Sequence, residues 1–417
     1  MSRSVYVIGA GLSGLSAAVA LAGRGERVVV FEGAAQAGGR CRSYVDPQLG
    51  VTIDNGNHLV LSGNREVHAY LRQIGAADRL TGPDRAAIAF ADLKTSERWT
   101  VRPNEGRLPW WIFAKDRRVP RTTPGDYLSL AALLRPPPGR RLDQVIDCRG
   151  RLWDALLQPF LLAVLNTEPE AGSADLAAAV VRETLALGGG ACRPRIAHPT
   201  LASAFVDPAL AYLEVHGAEV RFGQRARRLV MDGRRLSAVT FSKGEQDLGP
   251  DDAVILAVPP WMAQELLPDL DAPDDFRAIV NGHFLIPAPP EAEPMVGLIG
   301  GTAEWVFAFP DRISVTVSGA DRLLGEDREA LARRLWADVA VLHGLPAELP
   351  PWQIVKERRA TFAATPAQDA KRPGARTGWD NLLLAGDWTA TGLPATIEGA
   401  LRSGRTAADL VLAGKVV

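Results

Sequence analysis

The sequence predicts an α/β fold: a Rossmann-like domain built from both chain ends, with an inserted α+β domain that contains an antiparallel sheet. Three observations predict it. A strand–turn–helix–strand unit opens the chain at residues 4–32, and a buried strand followed by a helix closes it at residues 382–412. Between them, helical segments give way to short strand-like runs. At 417 residues the chain also exceeds what one compact core usually serves, so two domains are expected.

The opening unit runs Ser4-Val5-Tyr6-Val7-Ile8 into Gly9-Ala10-Gly11-Leu12-Ser13-Gly14. An Ala- and Leu-rich segment follows, then Arg27-Val28-Val29-Val30-Phe31, ending on Glu32, 18 residues after Gly14. This is the order and spacing of a dinucleotide-binding βαβ unit. Gly9 makes the tight turn, Gly11 lets the backbone approach a pyrophosphate, and Gly14 lets helix and strand touch. The free amides of the helix start, where Leu12 and Ser13 lie, hold phosphate charge. Glu32 is placed to accept hydrogen bonds from ribose hydroxyls. Residues 5–23 carry no charge and follow Arg3, as in a signal peptide or membrane span. Three glycines at dinucleotide spacing and two serines make a poor apolar core for either, so neither is expected.

The unit continues through Gly38-Gly39-Arg40 and Ile53-Asp54-Asn55-Gly56-Asn57-His58, giving a first segment at 1–83. From 84 to 201 the pattern reads as helical, broken by Pro136-Pro137-Pro138 and Gly188-Gly189-Gly190, and is expected to face substrate or membrane. Residues 202–262 return to the first domain, with a helix at 205–216, a strand after Gly217, and a buried strand at 254–258 stopped by Pro259-Pro260. Residues 263–378 form the substrate domain: the runs at 305–309 and 313–317 predict an antiparallel sheet, and 321–343 one long amphipathic helix. Residues 379–417 complete the first domain, with a strand ending in Gly386-Asp387 and a helix over 394–412. Ile397, Leu401, Gly404, Ala408 and Val411 form one stripe of that helix, and Glu398, Arg402, Arg405 and Asp409 another. Pro394 and Thr396 suit its start.

The formal net charge of −1 and 47% hydrophobic content describe an ordinary globular chain and give nucleic acid no electrostatic footprint. Cys41, Cys148 and Cys192 are odd in number, far apart and in no metal spacing. They predict no metal site and a reduced, cytoplasmic compartment.

Gly9 to Gly14, Glu32, Gly38-Gly39-Arg40, residues 254–260 and Ala385-Gly386-Asp387 with Glu398-Gly399-Ala400 together resemble the amine oxidase and phytoene desaturase superfamily of flavoproteins, with its glutathione reductase-type FAD domain. Gly39-Arg40-Cys41-Arg42-Ser43, Ile53-Asp54-Asn55-Gly56, Ala163-Val164-Leu165-Asn166-Thr167, Phe205-Val206-Asp207-Pro208-Ala209, residues 360–366 and residues 385–400 are similar to its squalene-associated, FAD-dependent desaturase-like branch. The resemblance implies non-covalent FAD. Gly9, Gly11, Gly14 and Glu32 would hold the ADP half, and Gly38, Gly39 and Arg40 would lie near the pyrophosphate. Ala226 would meet adenine through its backbone, and Asn55 and Gly56 would belong to the cofactor-facing turn. Gly386 and Asp387 would hold the ribityl chain, and the Thr396 and Ile397 amides would face the flavin pyrimidine edge. A helix N-terminus stabilises the negative charge that reduced flavin carries there.

The activity implied is reductive dehydroxylation of hydroxysqualene to squalene, a step of squalene and hopanoid synthesis, by hydride transfer from reduced flavin N5 to an allylic cation. It needs an acid near the leaving oxygen, a water-excluding apolar tunnel and an external reductant, since only one GxGxxG is present. Candidate catalytic residues are His58, Asp54 and Asn166. The alternatives are a histidine that hydrogen-bonds the 54–56 turn, an aspartate that braces it, and an asparagine that, with Thr167, ends a helix. Trp110, Trp111 and Phe113, followed by Lys115, Arg117 and Arg118, would either anchor the protein peripherally at the inner face of the cytoplasmic membrane or pack inside the inserted domain. A carotenoid-type desaturase and an amine oxidase remain rivals on the same scaffold, with Trp388 available as one aromatic wall. A flavin-free prenyl-binding escort is a rival of another class.

Overall fold

The computed structural model describes residues 3–414. Five parallel strands form the first sheet, in the order Glu219–Arg221, Arg27–Phe31, Ser4–Ile8, Ala253–Leu256, Leu382–Leu384. Val5 pairs with Val28 on one side and Ala253 on the other, and Ile255 pairs with Leu383. Three separate stretches of chain therefore meet in one sheet. Successive side chains point to opposite faces. Val5, Val7, Val28, Val30, Ile255 and Leu383 pack on one side against the helices Leu12–Ala22 and Ile397–Leu412. Tyr6, Phe31, Val254 and Leu384 pack on the other, where a three-stranded antiparallel sheet (Ala226–Asp232, Arg235–Phe241, Gly244–Asp247) lies, with Phe31 and Phe241 stacked at 4.1 Å. Coverage on both faces explains the near-continuous apolar runs.

The first and last helices cross in close contact. A Cβ on Gly404 would collide with Ser13 O, and Ser16 Oγ donates to Leu401 O at 2.8 Å. All eleven residues of the first helix are buried, which accounts for the uncharged run at 5–23.

The second sheet has seven strands, ordered Trp352–Phe362, Phe276–Phe284, Ile313–Val317, Trp305–Ala308, Met295–Ile299, Ile88–Asp92, Arg98–Val101. All neighbours are antiparallel except Met295–Ile299 and Ile88–Asp92. The helix Arg328–His343 covers one face through Leu331, Leu335, Trp336 and Val339.

Several sequence expectations need correction here. The 84–201 segment is not helical throughout: Ile88–Asp92 and Arg98–Val101 form a hairpin on the second sheet, and Pro194–Ala197 pairs with Leu59–Leu61 and Leu80–Thr81. Alanine at 86, 87, 89 and 91 masked the strand period, and long-range pairing overrode it. The helix expected over 321–343 starts at Arg328, because Asp327 Oδ1 accepts the Glu329 and Ala330 amides at 3.0 Å; Ala320–Leu323 is a separate 3-10 turn. The last helix likewise starts at Ile397, capped by Thr396 Oγ1, which accepts from Gly399 N at 3.1 Å. The helix expected over 205–216 is two, Leu201–Phe205 and Asp207–Val215.

Candidate active site

At the nucleotide end, three glycines lack a side chain for three reasons. Gly9 takes φ +109°, donates its amide to Phe31 O at 2.7 Å, and would bring a Cβ within 2.5 Å of Ala257 O. A Cβ on Gly14 would overlap Gly9 O. Gly11 differs, because nothing lies within 4 Å of the position its Cβ would take. It precedes the first helix without a side-chain cap, so the Leu12 and Ser13 amides, which lack intrahelical acceptors, face that space. The Gly38-Gly39 turn closes over it: Gly38 N donates to Ala10 O at 2.8 Å, and Gly39 lies against Gly11 Cα. Glu32 accepts the Ala10 and Ala34 amides at 2.7 and 2.8 Å, which fixes its carboxylate at the end of the second strand with lone pairs to spare. Gln224 N donates to Glu32 O at 2.8 Å, and its buried Oε1 has no partner among the described residues. Ala226, buried, follows two residues later.

At the other end, Arg40 donates through Nη2 to both oxygens of Asp387 at 2.7 Å and through Nη1 to Ala360 O at 2.5 Å. Arg372 holds the same loop from behind, donating to the Asp387 and Thr389 carbonyls. Gly386 donates to Ser403 Oγ at 2.9 Å, and any Cβ on it would collide with the Trp388 indole. Trp388 is 2% exposed and donates to Val258 O at 2.9 Å. It is a core residue and gives no aromatic wall to a cleft. Thr396 spends its hydroxyl on the helix cap, leaving the Ile397 amide at the helix start free of an intrahelical acceptor.

Glu398 lies on the charged stripe of the last helix, yet its side chain is buried and accepts the Glu66 and Val67 amides at 3.1 and 3.0 Å. It thereby caps the helix Arg65–Gln73, whose own N-cap residue Asn64 offers no side-chain bond. Arg402 bridges it to Glu183. Only the charge pair Glu398–Arg402 at i, i+4 was visible in the sequence.

The 54–58 loop is gripped by the second sheet. Asn281 donates to Asn55 O and accepts from Asn57 N, both at 3.4 Å, and accepts from Thr316 Oγ1 at 2.8 Å. A Cβ on Gly56 would press to 3.0 Å from Asn281 Nδ2. The Asn55 side chain donates to Glu357 Oε2 at 3.1 Å. Asp54 Oδ1 accepts Ser43 Oγ at 2.5 Å and Leu201 N at 2.9 Å, the bracing role; burial pushes its carboxyl above the usual range. Asn166 ends the helix Gln158–Leu165 at φ +48°, donates to Thr361 Oγ1 at 2.9 Å and accepts from Gly319 N at 2.7 Å. Thr167 Oγ1 accepts from Ala364 N. Asn166 and Thr167 are thus cross-links between helix and sheet, in keeping with the helix-ending alternative.

His58 behaves differently. Its ring hydrogen-bonds no described residue, so it does not tie down the turn. Burial, then the neighbouring Arg40 charge, push its pKa down to about 4. The imidazole is neutral at pH 7 with both nitrogens free.

The flavin-containing amine oxidoreductase family model matches residues 12–412. The chain belongs to that family. Among curated relatives, the hydroxysqualene dehydroxylase of Rhodopseudomonas palustris is 55% identical over 416 residues, covering 99% of each chain. That of Sinorhizobium fredii is 53% identical over 412 residues, again 99% of each. A solved oxidoreductase from Methanosarcina mazei shares the fold, with TM-score 0.74 and 14% identity over 98% of this chain and 100% of that one. As a flavin-containing amine oxidoreductase the chain is an FAD-dependent enzyme, which sets aside a flavin-free escort. The residues fit FAD on three observations: the open space at Gly11 beneath unclaimed helix amides, the fixed Glu32 carboxylate, and the unpartnered Gln224 Oε1 beside Ala226. No group of three or more His, Cys, Asp or Glu among the described residues could hold a metal, and burial pushes all three thiols up to about 12.

Proposed function

We propose that this flavoenzyme converts hydroxysqualene to squalene by reductive dehydroxylation. The observation that carries the reading is the 55% identity to a hydroxysqualene dehydroxylase across 99% of both chains. Bound FAD, once reduced by an external two-electron donor, would supply a hydride and, overall, the proton with which the hydroxyl leaves as water.

The chain's residues supply position, a hydrogen bond to the leaving oxygen, and dryness. Gly11, Glu32 and the first helix hold the ADP half, Arg40 lies near the pyrophosphate, and Asp387 and the Ile397 amide lie at the flavin half. Asp54 and Asn166 have their side chains committed to structure, so His58 is the residue left to meet the leaving oxygen. With its pKa near 4 it does so as a neutral N–H donor and not as an imidazolium acid. Trp388 being buried, no described aromatic of the 385–400 segment walls a cage of the kind amine oxidation uses. Anaerobic mixing of photoreduced protein with hydroxysqualene is the test. Reoxidation of the flavin with one squalene formed per flavin is expected; reduced flavin that persists alongside unchanged alcohol overturns the reading.

A further inference from the structure

Nine large hydrophobic side chains are exposed among the described residues, and five of them lie between positions 108 and 134. Trp110 and Phe113 are 65% and 62% exposed on the 3-10 turn Trp110–Phe113, with ring centroids 6.2 Å apart. Leu108 adjoins them through the Trp110 N to Leu108 O bond of 2.9 Å. The turn Pro124–Leu128, carrying Leu128 at 71%, is packed on the same element, because Tyr127 meets Trp111 edge-on at 5.1 Å. Leu134 follows it. Trp111, 7% exposed, is therefore a core residue and not part of any anchor, which corrects the sequence expectation for it.

Charge surrounds this patch. Residues 107–141 hold eight Arg or Lys and two acids, Asp116 and Asp126. Arg121 and Arg141 are neutralised by Glu97 and Asp143, but Arg107, Lys115, Arg117, Arg135 and Arg140 have no ion-pair partner among the described residues. Exposed aromatics rimmed by unpaired cations are the composition of an interfacial lipid-binding surface, with rings at headgroup depth and cations on anionic phosphates. No helix among the described residues is long and apolar enough to cross a membrane, so the contact would be in-plane.

We propose that Leu108, Trp110, Phe113, Leu128 and Leu134 seat this enzyme on an anionic bilayer surface. The layer beneath, Trp111, Ile112 and Tyr127, belongs to the same apolar cluster as Leu156, Leu161, Phe307 and Trp388, the neighbour of Asp387 in the chain. The seat would serve as the place where a water-insoluble substrate leaves the bilayer. That purpose rests on the isoprenoid reading above; the docking itself does not, and it is measured without substrate.

The test is flotation of the FAD-loaded protein with vesicles of phosphatidylcholine and phosphatidylglycerol, against phosphatidylcholine alone. Trp110→Ser/Phe113→Ser should lower the partition coefficient about a hundredfold, roughly tenfold for each ring withdrawn. Omitting the anionic lipid or raising the salt should weaken binding as well. Val215→Ser, at an equally exposed apolar site outside the patch, should change nothing. The double variant should keep its melting temperature and its turnover of detergent-dispersed hydroxysqualene. Equal flotation of wild type and double variant overturns the proposal, as does failure of the wild type to float. Concentration-dependent dimerisation abolished by the same two changes would also overturn it, by making the patch a contact between copies.

Discussion

Arg40 and Asp387 lie 347 residues apart in sequence and form a bidentate pair, both bonds at 2.7 Å. The pair joins the glycine turn of the first domain segment to the loop before the last helix, so the two ends of the cofactor cleft are fixed to each other. Asp387 is buried while Arg40 is partly exposed, so the carboxylate bears the larger cost of losing its partner.

Asp387→Asn should therefore weaken FAD binding about tenfold while leaving the secondary structure intact, since one charge-assisted bidentate contact is removed. Fluorescence titration of the FAD-free protein measures it. Unchanged affinity would mean that the pair serves only to hold the fold.

Gly11→Ala and Gly404→Ala should separate binding from folding. A methyl at Gly11 meets nothing in the protein and fills the space over the helix amides, so the melting temperature of the FAD-free protein holds while FAD binding is lost. A methyl at Gly404 is driven into Ser13 O and should cost roughly 3 kcal/mol or more of unfolding free energy. Equal loss of stability in both variants would contradict this division.

The pH profile of kcat/KM should show no step near the ordinary histidine value, because His58 titrates at about 4. His58→Phe should lower kcat about a hundredfold, and His58→Asn, which keeps a donor, less. A limb between about pH 6 and pH 7 that disappears in His58→Phe would show that the imidazolium is the working form.

His283 should make the fold acid-sensitive. It is fully buried, its Nδ1 meets Ser314 Oγ at 2.9 Å, and burial followed by the Arg312 charge push its pKa down to about 3. The unfolded chain takes up this proton below about pH 6.5 and the folded one does not. Stability is thus lost as pH falls toward the folded value, by about 1.4 kcal/mol per pH unit for this one group. Urea denaturation at several pH values should show a shallower fall for His283→Gln; parallel curves would refute it.

By itself the sequence determined the first parallel unit, a dinucleotide site and the two chain ends that build its domain. These rest on local rules: GxGxxG specifies its own turn, an apolar run beside a glycine specifies a buried strand, and Thr396 specifies a helix start. What it left undetermined depended on partners distant along the chain. Ile88–Asp92 becomes a strand only because Met295–Ile299 lies beside it. Glu398 is buried because an uncapped helix 332 residues upstream presents two amides. Asn166, Asp54 and His58 carry polar side chains that could each serve chemistry, and nothing local distinguishes them. The tertiary structure decided among them by supplying partners: Thr361 and Gly319 for Asn166, Ser43 and Leu201 for Asp54, and none for His58. A buried polar group must be hydrogen-bonded or hold its neutral form, and only the folded chain reveals which of these applies.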